Sequence, residues 1–261
     1  MKNRVTIIFE DDFETGDLSK WTDVLQQDEG SAEINTDNPK SGTYNLKCVR
    51  KDGAAAGNFN CVLKAGIGGT AHEHLFAQAS NVKINTMPAG ADNKISILWF
   101  SQSEGSNMVG CAGFKSVGGV LKFYIRYRNA EAFSDVISTI DAEVDTNYVL
   151  ELEIKQSTEG QSDGEQRLYV NGQLVCEITG IDNDDRTIGF IHLGIANAYS
   201  SGTGDVTIWA DDFKLSDTYI GVVVPPTLSE QMTEMMNTMI NLMMVVMIIR
   251  MMSSMMKGLK K

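Results

Sequence analysis

Up to Ser216 the chain is written in short runs of alternating polarity, separated by clusters of Gly, Asn, Asp and Ser. In YNLKCVRK (44–51), KISILWF (94–100), LKFYIRYR (121–128) and YVLELEIK (148–155), apolar and polar residues change places with the two-residue period of a strand. RLYV and QLVCEI are joined by Asn171-Gly172, two residues that tolerate positive φ, which is the strongest short-range signal for a tight hairpin. No helical period of useful length occurs before Pro225. A chain built this way can bury one side of each run only by forming sheets and packing them face to face. The expected fold class over residues 1–220 is therefore all-β.

Beyond the linker 221–226, with its Pro225-Pro226 pair, the character changes. Residues 227–261 open with Thr227 and Glu230 in capping-box spacing and stay apolar until Gly258, which predicts one long C-terminal hydrophobic α-helix. Met232, Met235, Met239, Leu242, Val246, Ile249, Ser253 and Met256 follow a 3-4 spacing, and Met236, Ile240, Met243 and Met247 form a second stripe beside it. So wide an apolar face demands cover. One reading is a homo-oligomer, a trimer or larger, formed through residues 227–257. The other is membrane association of residues 235–256, with Lys257, Lys260 and Lys261 on the cytoplasmic side. Arg250, Asn237 and Asn241 weaken the second.

The 261 residues carry a net charge of −12; the tail beyond Pro225 is +2, leaving −14 on the β body. Such a body excludes nucleic acid as a natural partner. Cys48, Cys61, Cys111 and Cys176 lack the paired short spacing of a zinc site. Cys48 and Cys61 either pair in an oxidising compartment or remain buried thiols. The start, MKNRVTIIFEDDF, lacks the apolar core of a secretory signal.

DDFETGDLSKWT near the start, RLYVNGQLVCEITG (167–180) and IHLGIANAYSSGTGDVTIWADDFKLSD (191–217) resemble, in that order, the concanavalin A-like lectin/glucanase superfamily. The likeness is to its laminin-G-like and polysaccharide-lyase-like modules and covers about residues 5–217. It implies a two-sheet antiparallel jelly roll with first and last strands side by side. It leaves function open, because lectins, hydrolases, lyases and structural modules share that fold.

FEDDF (9–13) and WADDF (209–213) repeat one acidic pattern near the two ends of the β body. By strand parity Asp11 and Asp211 point inward, where an unpaired carboxylate is costly. A shared cation, a raised pKa or a bulge that turns the acids to water would each relieve it. The resemblance implies a structural calcium here, with Asp11, Asp211, Asp212, Glu14 and Asp17 as candidate ligands; hard oxygen donors suit that ion.

The Glu-x-Asp-x-x-Glu strand motif of the superfamily's glycoside hydrolases is absent, and no catalytic residue is assigned. Glu151 and Glu153 lie opposite Leu150, Leu152 and Ile154 and read as a solvated face. His72 and His74 have two-histidine metal spacing but no third ligand, and His192 stands alone. Trp21, Trp99 and Trp209 read as core. On LKFYIRYR, Phe123, Ile125 and Tyr127 face inward; Tyr124, Arg126 and Arg128 face out, either as a solvated surface or as an aromatic and guanidinium platform for a sugar or acidic glycan. These features together predict a non-enzymatic carbohydrate-binding or structural module on a virion or cell surface. The alternative is a polysaccharide hydrolase or lyase of the same fold.

Overall fold

A computed structural model describes residues 6–67, 73–86, 93–104, 106–199, 204–222 and 236. Among the described residues of Ile7–Ser216 each regular element is a strand: β1 (Ile7–Asp11), β2 (Asp23–Gln26), β3 (Ser31–Asn35), β4 (Asn45–Arg50), β5 (Asn58–Ala65), β6 (His74–Ile84), β7 (Lys94–Ser103), β8 (Ser106–Val117), β9 (Val120–Asn129), β10 (Ala132–Asp141), β11 (Tyr148–Lys155), β12 (Gly164–Val170), β13 (Gln173–Ile181), β14 (Phe190–Tyr199) and β15 (Val206–Ser216).

They form two antiparallel sheets. An eight-stranded sheet runs β13-β12-β11-β6-β15-β4-β3, with β1 also on β15, and a seven-stranded sheet runs β10-β9-β8-β7-β14-β5-β2. First and last strands meet as expected, Phe9 opposite Leu215 and Asp11 opposite Phe213. Between the sheets lies one large apolar cluster, in which Phe100, Phe114, Leu152, Ile154, Leu168, Ile208 and Phe213 are fully buried. Asn171 and Gly172 have φ of 51° and 81°, the two positive values a type I′ hairpin requires.

Two bulges alter what strict alternation predicts. On β7 the register slips between Ser96 and Leu98. A one-residue slip exchanges faces, so Leu98 joins the main core while Trp99 belongs to a second cluster with Cys61, Met108, Cys111, Tyr124 and Ala196. On β15 the register slips on both sides of Asp211, and Asp212 has φ 45°. Trp209 is thereby half-buried between the ammonium groups of Lys83 and Lys47, 4.3 and 5.9 Å from its ring, rather than in the main core. Trp21 is in that core.

Glu151 and Glu153 are not solvated. After β15 the segment 217–222 turns back over the eight-stranded sheet, and Glu151 accepts the N–H groups of Ile220 (2.7 Å) and Gly221 (3.0 Å) and the Gln78 amide (3.0 Å). Burial nevertheless raises its pKa, these donors offsetting only part of the effect. Glu153 bonds His74 (2.9 Å), Arg167 (3.1 Å) and Tyr169 (3.2 Å). Burial would raise its carboxyl, but those partners hold it below the usual range. Cys48 and Cys61 are free thiols on different sheets.

The chain divides into Met1–Val222 and Val223–Lys261. The seam residues Met232, Met235, Met239, Leu242, Val246, Ile249 and Met256 lie outside the described residues, as does His72. Among the described residues no helix is long and apolar enough to cross a membrane.

Candidate functional site

The repeated acids are held by protein donors, and of the ways the sequence offered to accommodate them a raised pKa and a bulge both occur at Asp211. Asp11 is buried and accepts the Phe13 N–H (3.0 Å), the Trp21 indole N–H (2.7 Å) and the Lys20 ammonium (3.0 Å). Asp211, also buried, accepts the N–H groups of Lys40 and Asp212, each at 2.7 Å. Its pKa is raised by burial, which these donors only partly offset. Asp212 pairs with the Lys40 ammonium at 2.9 Å. Glu14 caps the Thr43 and Tyr44 N–H groups (2.9 and 2.8 Å), and Asp17 binds Ser19 Oγ at 2.6 Å. The carboxylates are thus engaged by protein donors, and among the described residues no group of three or more His, Cys, Asp or Glu is arranged to hold a metal. A cavity of about 290 Å³ beside Asp11 is lined by Glu10, Asp12 and Asp212 together with Lys20 and Lys214.

The outer face of the seven-stranded sheet is chemically richer. As parity predicts, Phe123 and Ile125 of β9 enter the main core while Tyr124 joins the cluster on the other side. Tyr124 is fully buried there, however, and is not an exposed platform. Its register partner on β8 is Gly113, and its hydroxyl lies 2.7 Å from Ser96 Oγ on β7. To span two strand spacings, about 9.6 Å, the ring must lie over Gly113, where no side chain stands in the way. Burial drives the phenol pKa well above its ordinary value.

Beside this ring is a charged cluster. Asp135 of β10, opposite Arg126, receives Lys94 Nζ at 2.8 Å, Lys115 Nζ at 3.1 Å and Arg126 Nη1 at 3.3 Å. Burial would raise the Asp135 carboxyl, but the cations prevail and hold it below the usual range. Lys94 Nζ stands 5.8 Å from the Tyr124 ring centroid. One step along β10, the half-exposed ring of Phe133 has the guanidinium carbons of Arg126, Arg128 and Arg186 at 5.5, 5.4 and 5.8 Å. Arg128 is buried and held by both oxygens of Asp185, at 2.9 and 2.7 Å from Nε, so it is a structural ion pair rather than a free binding group.

At the other end of the face, His192 of β14 lies opposite Trp99. Its Nε2 is 2.8 Å from Ser101 Oγ, which itself donates to the Ser103 carbonyl at 2.9 Å. The network therefore assigns the ring proton to Nε2 and leaves Nδ1 as acceptor, 3.9 Å from Cys61 Sγ. Burial lowers the His192 pKa to about 4, so the imidazole is neutral at pH 7. Lys94, Lys115, Phe133, Asp135 and His192 were not assigned to this face from sequence. Only the β9–β10 alternation, with Phe133 and Asp135 falling opposite Arg128 and Arg126, carried a local signal for two of them.

No protein-family model and no curated protein matches the chain. Solved structures do. An endo-β-1,4-glucuronan lyase from the fungus Trichoderma reesei aligns with TM-score 0.62 and 16% identity over 83% of this chain and 98% of its own. A cellulose-induced protein aligns with TM-score 0.54 and 16% identity over 82% and 99%. An alginate lyase carrying alanine at one lysine and one tyrosine position, in complex with alginate tetrasaccharide, aligns with TM-score 0.50 and 15% identity over 74% and 94%. At such identities the shared property is the fold, the jelly-roll sandwich.

These likenesses correct the expectation of a non-enzymatic module. That expectation rested on a missing hydrolase motif. Paired carboxylates belong to glycoside hydrolysis, whereas lyases on the same sandwich cleave by elimination, which needs no such pair. The motif's absence therefore does not argue against an enzyme.

Proposed function

We propose that the chain is a polysaccharide lyase acting on a uronate-containing polymer at the outer face of the seven-stranded sheet. The observation that carries this reading is the convergence of Lys94, Lys115 and Arg126 beside the Tyr124 phenol on a protein whose net charge is −12. On an acidic body, a local cluster of cations marks where a polyanion is accepted. The alginate lyase solved with its tetrasaccharide carries alanine at one lysine and one tyrosine position; in this chain Lys94 stands beside Tyr124.

Elimination from a uronate requires three things of a site. Cations must offset the carboxylate so that the proton on C5 becomes removable. A base must accept that proton, its bonding electrons forming the C4=C5 double bond as the C4–O4 bond breaks. An acid must protonate the departing O4. Arg126, which retains 29% side-chain exposure, and the two lysines serve the first need. Neutral His192, with Nδ1 unprotonated, has the protonation state the second requires, and substrate would have to bring it together with Tyr124 from the other end of the face. Tyr124, whose phenol stays protonated at neutral pH, suits the third. The face must admit substrate for this, since both His192 and Tyr124 are buried.

The full chain should raise short-wavelength ultraviolet absorbance, from the new C4=C5 double bond conjugated with the carboxylate, with polyglucuronate or alginate and not with a neutral glucan. Reducing ends without that absorbance would mean hydrolysis, and no product from any uronate polymer would end the reading. Arg126→Ala should lower kcat by about 10²-fold, the effect of removing one donor from a developing anion, with thermal unfolding little changed. An unchanged kcat would remove Arg126 from the chemistry.

A further inference from the structure

The β10 edge of this face holds a cation that the cleavage chemistry does not use and that pairs with no carboxylate among the described residues. Of the three guanidiniums around Phe133, Arg128 is matched by Asp185 and Arg126 by Asp135. Arg186, on the turn between β13 and β14, has no carboxylate within ion-pair distance among the described residues. Its Nη1 is fixed instead by the Met108 carbonyl at 2.8 Å. Burial, and then the nearby charge of Arg128, lower its pKa, with Asp185 opposing them. Next to it the Phe133 ring is 36% exposed on an edge strand, where a natural sheet more often places a charge or a proline. A partly exposed aromatic ring beside a positioned guanidinium that has no ion-pair partner among the described residues suits a ligand with an apolar ring face and a carboxylate at its rim. The phenyl ring takes the C–H face, and the planar fork of the guanidinium takes the carboxylate through two bonds.

We propose that Phe133 and Arg186 form an outlying subsite for a second uronate ring of the same polymer, so that the protein favours longer oligouronates over short ones. This rests on the lyase reading for the bond that is cleaved, but not for the binding. Phe133 lies two residues along β10 from Asp135, about 7 Å, so the subsite adjoins the cationic cluster, and Arg126 reaches both. A neutral sugar would stack there but leave Arg186 unmatched; this makes the subsite a source of selectivity for acidic polymers.

The test uses the full chain and a series of oligoglucuronates and oligomannuronates from dimer to hexamer. Calorimetric binding is measured beside turnover. In the wild type, affinity and kcat/KM should rise with length. Phe133→Ala and Arg186→Gln should each remove about tenfold of that gain, the worth of one good contact, while leaving kcat on polymer unchanged. Arg186→Gln should also flatten the salt dependence of binding, and Arg186→Lys should keep the salt dependence but recover only part of the affinity. If both variants keep the wild-type length profile, the subsite is wrong even where the protein cleaves uronate polymers. If oligouronates bind with that profile and lose it in the variants while no cleavage occurs, the subsite stands and the lyase reading falls. Failure of every oligouronate to bind would remove the subsite outright.

Discussion

Tyr124→Phe is expected to lower kcat on a uronate polymer by about 10²–10⁴-fold, the usual contribution of a positioned proton donor. The substitution removes one oxygen and keeps the ring that lies over Gly113, so the sandwich should remain folded, losing about 1 kcal/mol with the bond to Ser96. KM should change little, because in the proposed site the charges that would hold the polymer are those of Lys94, Lys115 and Arg126. The wild-type rate should be level through neutral pH. His192 has its pKa lowered to about 4 and so loses its basic form only in acid, while burial holds the Tyr124 phenol well above its ordinary range. Activity should therefore fall as pH drops through about 4 and as it rises into the strongly alkaline range. A variant with undiminished kcat, or a rate that changes steeply between pH 6 and 8, would exclude this assignment of acid and base.

Much of the architecture was legible because its causes are local. Alternation in LKFYIRYR and YVLELEIK specifies which side of each strand enters the main core, and Asn171-Gly172 specifies a hairpin. The departures arise where one residue is inserted. KISILWF reads as a regular strand with Ile95, Ile97 and Trp99 on one side, yet the slip at Ser96/Leu98 turns Trp99 outward. The energy of a bulge depends on the neighbouring strands, and nothing within the seven letters reports it. Glu151 was misplaced for a related reason. Parity named its face correctly, but the segment covering that face, 217–222, returns from the far end of the β body.

The site divides along the same line. Tyr124, Arg126 and Arg128 share the predicted face, but what each does is decided by strands distant in sequence. Gly113 lets the tyrosine lie down, Asp185 occupies Arg128, and Asp135 gathers lysines from β7 and β8. Strand pairing at long range sets these meetings, and a single sequence does not encode it in any short motif. His192 looked solitary for the same reason: its partners, Ser101 and Cys61, come from the two strands on either side.

Asp11→Ala should destabilise the sandwich by about 2–5 kcal/mol, because it leaves the Trp21 indole N–H and the Phe13 backbone N–H buried without an acceptor, each costing about 1–3 kcal/mol. The indole sits among Phe9, Phe13 and Phe213, with ring centroids 5.0, 6.3 and 5.2 Å away, so Asp11 fixes the aromatic plug that closes the joined ends of β1 and β15. At about 2–4 °C per kcal/mol for a domain of this size, the melting temperature should drop by on the order of 10 °C. Asp12, next in the same repeat, is exposed and bonds the Glu14 N–H at 3.3 Å. Asp12→Ala should therefore cost less than about 1 kcal/mol. The same asymmetry should hold in WADDF, where Asp211 secures the N–H groups of Lys40 and Asp212 and Asp212 is the outer partner of Lys40. Thermal unfolding of the four alanine variants decides the matter. A large loss for the first aspartate of each pair and a small one for the second means that the repeat exists to hold one buried acceptor on each of the two paired strands, β1 and β15. Equal losses within a pair would refute that explanation.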